Sequence, residues 1–261
     1  MIHLLTGFGE LGGSTICHIN LVNLFNENGY NACLYSPHHW HFNKCISNSL
    51  NNLKYDKNDN IIVHFLKFNN HLNVRNFIFS THEQNLLPLK SINYHIYNKI
   101  HYVSYTQKAY HNIKYPNFVC PNVIDDLKLN ENKPKEKIGG VIGSIDKNKN
   151  CIESLNKALE DGCTKVLLYG RKSDLAYYTN VILPFLNIHP NVIFMGVEED
   201  KQKMYNSCSD IYQNSLSESY GLVKIEAEKC GLKYHGNGVV KDQLIWDKTT
   251  ILNKWIKELD L

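Results

Sequence analysis

The sequence predicts an α/β protein built from two parallel-sheet halves, and three observations lead there. Short apolar runs alternate with stretches of helical period on both sides of the chain's midpoint. The stretch 127–137, LKLNENKPKEK, is charged, contains proline and lacks core residues, so it reads as a linker. A glycine-rich loop follows the first apolar run, as βα turns of parallel sheets often have it.

In the first half, Ile2 to Thr6 reads as a buried strand, followed by the loop Gly7-Phe8-Gly9-Glu10-Leu11-Gly12-Gly13. Ser14 to Asn28 then has helical period, with Ile19, Val22 and Phe25 on one stripe and Gly29 as the stop. Strands are expected at Tyr30–Ser36, Ile61–Leu66, Phe77–Ser80 and His101–Ser104, with a helix over Gln107–Ile113. The segment from Pro37 to Asp59 is polar and irregular, with room for one short helix.

In the second half, strands are expected at Ile138–Ile142, Lys165–Tyr169, Val192–Met195 and Asp210–Gln213. Helices are expected at Cys151–Asp161, Leu175–Leu183 and Lys201–Ser207. A last helix is predicted over Gln243–Leu261, with Ile245, Leu252, Trp255, Ile256 and Leu259 as its apolar stripe.

Composition bounds the function loosely. The net charge of +3 over 261 residues permits anionic ligands without calling for nucleic acid or an acidic membrane. The eight cysteines form no C-x-x-C pair and mostly sit within apolar or helical patterns, which reads as reduced, buried thiols. The first residues, MIHLLTGFGE, lack a basic leader and read as a strand, and no stretch is long enough to span a bilayer. A cytoplasmic protein is expected.

The most informative stretch is 213–231, QNSLSESYGLVKIEAEKCG. Its first part is polar and ends a strand, and its second part is a helix with Leu222, Val223, Ile225 and Ala227 available to a core. Ser219 or a neighbour can cap the start, and Gly231 suits the position after the end. Glu218 then sits at the helix mouth, and Glu226 about two turns further on. The amides of Gly221 and Leu222 fall in the first turn, where an anion is favoured.

This pattern, S-E-S-Y-G-L-V-x-x-E-A-x-x-C-G-L, resembles the E-x7-E signature of retaining glycosyltransferases of the GT-B fold, similar to glycosyltransferase family 4. The resemblance implies two Rossmann-like parallel-sheet domains facing across a cleft, here in a short version. It places an acceptor domain at 1–126, the linker at 127–137, a nucleotide-sugar domain at 138–242 and a helix at 243–261 that crosses back to the first domain. It implies Glu218 on the donor sugar, Glu226 on the ribose, and Tyr220, Gly221 and Leu222 at the donor site. It implies no metal and no cofactor: a nucleotide-diphosphate sugar such as a UDP- or GDP-sugar is the donor, and a glycan or other hydroxyl compound the acceptor.

Other segments fit this resemblance with departures. Gly143 to Asn150, GSIDKNKN, is similar to a G-R-x-x-x-x-K-N segment whose Arg and Lys hold the diphosphate. Lys149 matches the lysine, and Ser144 stands where the arginine belongs. A lysine offers a point charge, whereas an arginine adds a fork of donors, so the grip on diphosphate is weaker here unless Lys147 substitutes. Arg171, after one strand, and Gly196, after the next, stand where phosphate or base contacts occur; a surface charge and an ordinary turn are the plain alternatives. Ser80-Thr81-His82-Glu83 ends a strand, and the resemblance implies a histidine, His82, beside donor sugar and acceptor; a purely structural His82 is the alternative. Gly12 and Gly13 start the first helix beside the expected cleft.

Two rival classes stay open. Gly7, Gly9 and Gly12 spell G-x-G-x-x-G, which suits an NAD-dependent oxidoreductase, but the second strand ends Leu34-Tyr35-Ser36-Pro37 without the acid that holds a ribose. A catalytically silent nucleotide- or sugar-binding relative fits Ser144 and the short chain. His38, His39, His41 and Cys45 match no standard zinc spacing.

Overall fold

The computed structural model describes residues 1–7, 12–37, 44–82, 92–131, 133–237, 240 and 243–261. The chain divides into two compact units. Unit 1 comprises 1–124 together with 240–261, and unit 2 comprises 125–239.

Unit 1 holds β1 (Ile2–Thr6), α1 (Gly13–Glu27), β2 (Ala32–Ser36), β3 (Ser47–Ser49), β4 (Asn60–His64), β5 (Asn76–Thr81), β6 (Lys99–Tyr102), α2 (Tyr105–His111) and β7 (Asn117–Val119). The strands form one all-parallel sheet in the order β3-β2-β1-β4-β5-β6-β7. Chain order reverses beside β1, so the sheet has a topological switch point between β1 and β4. Residues of β1, β2, β4 and β5 are buried throughout, as expected of a sheet covered on both faces. Cores on its two faces gather Leu4, Val22, Phe25 and Trp255 on one side, and Leu5, Val63, Phe77 and Tyr102 on the other.

Unit 2 holds β8 (Ile138–Ile142), α3 (Cys151–Glu160), β9 (Lys165–Tyr169), a helix in three parts, β10 (Val192–Gly196), α6 (Lys201–Asn206), β11 (Asp210–Gln213), α7 (Leu222–Lys229) and β12 (Lys233–Gly236). The three-part helix runs through α4 (Leu175–Tyr177), a π-turn segment (Tyr178–Ile182) and α5 (Leu183–Ile188). Its parallel sheet has the order β10-β9-β8-β11-β12, with the switch point between β8 and β11.

Several expectations are corrected. The last helix is α8 (Lys248–Leu259), not 243–261, because Asp247 caps it by accepting from the Thr250 amide at 2.8 Å. Ile245 consequently lies before the helix and is exposed, while Ile251 joins Leu252, Trp255 and Leu259 in the core of unit 1. The segment 127–137 is not bare of packing: Leu127 lies against the unit 2 core, and the Asn130 amide donates to the Cys230 carbonyl at 3.0 Å. The eight cysteines are free and buried. No described helix is long and apolar enough to cross a membrane.

Candidate functional site

In unit 2 the carboxyl ends of β8, β9 and β10 are tied together by backbone contacts. Gly143 N donates to the Tyr169 carbonyl at 3.1 Å, Ile145 N to the Arg171 carbonyl at 2.7 Å, and Gly170 N to the Gly196 carbonyl at 2.8 Å. Gly170 has φ 148°, and a Cβ there would run into the Gly143 carbonyl oxygen. Only glycine lets these two loops meet.

The loop after β8 is also stitched to the loop after β11. Leu216 N donates to the Asn148 carbonyl at 2.7 Å, the Asn148 side chain to the Ser217 carbonyl at 3.2 Å, and Asn214 N to Ser154 Oγ at 2.9 Å. Asp146 shapes its own turn by accepting from the Lys149 amide at 2.8 Å and from Ser144 Oγ at 2.5 Å. These bonds bring the Lys149 ammonium to 2.5 Å from Glu218 Oε1, with the lysine stem lying over Gly143. Gln213 Nε2 donates to the same oxygen at 3.1 Å, and Tyr234 OH donates to Gln213 Oε1 at 3.0 Å. Burial, and after it the Glu218 charge, push the Tyr234 phenol up to about 12. An acid and a base thus face each other at the switch point of the sheet, where open α/β sheets bind ligands.

Behind Glu218 the chain turns through Tyr220, which is buried, and Gly221, at φ 76°, into α7. Gly221 is the N-cap residue and offers no side-chain cap of its own. The other end closes as expected: Gly231, at φ 69°, donates to the Glu228 carbonyl at 3.0 Å and Leu232 to Ala227 at 2.9 Å, a Schellman pattern.

Glu226 is not beside Glu218's partners. It is buried, with Oε1 accepting from Lys201 Nζ at 2.5 Å and Oε2 from Tyr205 OH at 2.7 Å. Lys201 also pairs with Asp125 at 2.5 Å. Burial works against its charge, but the Glu226 and Asp125 carboxylates prevail and hold the ammonium above the ordinary lysine range. Among the other candidates, Arg171 is exposed, with its carbonyl accepting from Ile145 and Ser173. Gly196 has φ 74° and ends β10.

In unit 1, Gly12 is the extended N-cap residue of α1 and Gly13 its first residue, and a Cβ at Gly12 would meet nothing within 4 Å among the described residues. Gly7 has a structural reason: a Cβ there would strike the Phe65 carbonyl. Gly9, Glu83 and His38–His41 lie outside the described residues.

His82 belongs to a cluster that sequence reasoning did not foresee. Its ring lies 4.6 Å from that of His18, 4.9 Å from His64 and 6.0 Å from His101, centre to centre. These side chains come from α1 and from the ends of β4, β5 and β6, beside the switch point of the unit 1 sheet. Burial first, and the neighbouring imidazoles second, hold His18 and His82 well below the usual histidine range, and burial brings His101 down to about 4. A cavity of about 10 Å³, lined by His18, His82, His101 and Asn122 among others, has room for one water or one hydroxyl. The missed signal was one histidine at each of several strand ends. Among the described residues no group of three or more His, Cys, Asp or Glu is placed to hold a metal ion.

No protein-family model matches the chain, and no curated protein sequence matches it. Solved structures do match. Sucrose-phosphate synthase from Thermosynechococcus elongatus is 15% identical with TM-score 0.68, over 99% of this chain and 90% of that one. HepE of Anabaena, solved in complex with UDP and glucose, is 12% identical with TM-score 0.64, over 90% and 80%. WaaG, a glycosyltransferase involved in lipopolysaccharide biosynthesis, is 12% identical with TM-score 0.64, over 100% and 91%. The chain shares the GT-B fold of these neighbours.

Proposed function

We propose that this protein is a retaining glycosyltransferase that moves a sugar from a nucleotide-diphosphate sugar to a hydroxyl acceptor. The observation that carries the reading is the Lys149–Glu218 pair, 2.5 Å apart at the switch point of unit 2. In the absence of donor the two charges satisfy one another. A diphosphate competes for the ammonium, and the freed carboxylate then accepts hydrogen bonds from sugar hydroxyls. Lys149 and the start of α7, at Gly221 and Leu222, meet the negative charge that grows on the leaving diphosphate, the term that matters most for the transition state. Retention follows from attack on the face the leaving group departs from, with a departing phosphate oxygen taking the acceptor's proton. His82 would face that acceptor hydroxyl.

The reading keeps Glu226 as the ribose acid, with Lys201 as its counter-charge. A carboxylate has about four lone-pair sites, and Lys201 and Tyr205 use two of them. A second reading, a silent sugar-nucleotide-binding relative, is favoured by Ser144, whose hydroxyl is spent on Asp146 in place of a guanidinium on phosphate.

Calorimetry with UDP, GDP and NAD, followed by release of sugar from a panel of UDP- and GDP-sugars, tests both. The transferase reading expects a uridine or guanosine diphosphate to bind and its sugar to be released. Binding without turnover selects the silent relative, and preference for NAD removes both.

A further inference from the structure

The hydrogen bonds around His82 fix more than its position. His101 Nε2 lies 2.8 Å from the Cys120 carbonyl, which can only accept, so that nitrogen carries the proton. Buried and neutral, His101 then has a bare Nδ1, and Ser80 Oγ at 2.8 Å must donate to it. With its one proton spent, Ser80 can only accept from His82 Nε2 at 3.1 Å. His82 Nε2 therefore carries the proton, and Nδ1 is bare. Independently, His18 Nδ1 donates to the Ser14 carbonyl at 2.7 Å, which leaves His18 Nε2 bare. His82 Nδ1 and His18 Nε2 are both buried side-chain nitrogens without a hydrogen-bond partner among the described residues, on rings 4.6 Å apart. Both rings line the same small cavity.

We propose that Ser80 and His101 are positioning residues: a relay anchored on the Cys120 carbonyl locks His82 as the Nε2–H tautomer, so that Nδ1 is presented as a hydrogen-bond acceptor. This rests on the reading of His82 as the residue that faces the acceptor hydroxyl. An unpaired buried acceptor is costly, and a ligand hydroxyl that donates to it recovers that cost. The opposite tautomer would present an N–H, which cannot accept a hydroxyl proton. The relay thus decides whether His82 can orient a nucleophilic oxygen with its lone pair free.

The test is ring ¹⁵N–¹H correlation spectroscopy of the full chain without ligand, which distinguishes the two tautomers and the charged ring for each histidine. His82 and His101 are expected as single Nε2–H tautomers and His18 as Nδ1–H. In Ser80→Ala, His82 should lose its single tautomer, and Ser80→Thr, which keeps the hydroxyl, should restore it. Finding His82 protonated on Nδ1, or unchanged in Ser80→Ala, overturns the proposal. Should Ser80→Ala not fold, the wild-type spectrum and Ser80→Thr still decide. Sugar transfer is measured separately: an intact tautomer pattern with no transfer by wild type removes the transferase reading and leaves the relay standing.

Discussion

The two units present opposite chemistry at equivalent places. Each has a parallel sheet with a switch point, and each gathers polar side chains at the carboxyl ends of the strands there. Unit 1 gathers the imidazoles of His18, His64, His82 and His101. Unit 2 gathers charges, the Lys149–Glu218 pair near its surface and the buried Lys201–Glu226 pair. The same scaffold thus suits a hydroxyl in one unit and an anion in the other. What differs is the side chains the strand ends carry.

Acid separates the two most strongly. His18, His82 and His101 are held neutral in the folded unit 1 but protonate in the unfolded chain near the ordinary histidine value. Below that value the unfolded state binds more protons, so stability falls as pH drops from about 6.5 toward about 4. Each such group contributes a slope of about 1.4 kcal/mol per pH unit, so three give roughly 4. The histidines of unit 2, His189 and His235, are only half-buried. The described tryptophans, Trp246 and Trp255, fall in unit 1, so their fluorescence reports that unit, while far-ultraviolet dichroism reports both. Tryptophan emission should change at a higher pH than the bulk of the dichroism. Coincident transitions would show that the imidazoles do not set unit 1 apart.

Removing the charge pair is the next largest effect. Lys149→Ala should lower sugar transfer by about 10²–10³-fold, as loss of a group that stabilises transition-state charge does, and Glu218→Gln, which weakens the hold on the sugar hydroxyls, by about 10–10²-fold. Sugar release assayed with the best donor checks this, and near-normal turnover in both variants would dissociate the pair from the chemistry.

Gly170→Ala should destabilise unit 2 by about 3 kcal/mol, because the backbone there has φ 148° and the new methyl meets the Gly143 carbonyl. The dichroism melt should show the loss, whereas tryptophan emission should report it weakly. The smallest effect is expected at Glu226. Glu226→Gln should weaken UDP binding by about tenfold, some 1.4 kcal/mol, with a native dichroism spectrum. Unchanged affinity with a lowered melting temperature would make the Glu226–Lys201–Tyr205 network structural only.

How much could be read beforehand follows from what each feature rests on. β1, β8, β9 and β11 have the bounds expected from their apolar runs, since burial on both faces writes itself as a continuous apolar segment. The strands that escaped notice, β3, β7 and β12, are short and lie at sheet edges. Their sequences, SNS, NFV and KYHG, carry no period, and only a neighbouring strand makes them strands. Glu218 and Lys149 stood out because local motifs surround them. Lys201 did not, because its partners, Asp125 and Glu226, are distant in sequence.

The sequence by itself determined the alternation that dictates two parallel sheets and the stop of α7 at Gly231. Those are local: each depends on residues within a turn or two of one another. Only the tertiary structure decided that Glu226 would be enclosed by Lys201 and Tyr205, and that four histidines lying between His18 and His101 would pack their rings together. Burial and hydrogen-bond direction come from which strand ends the sheet sets side by side, and sheet order is a property of the folded chain.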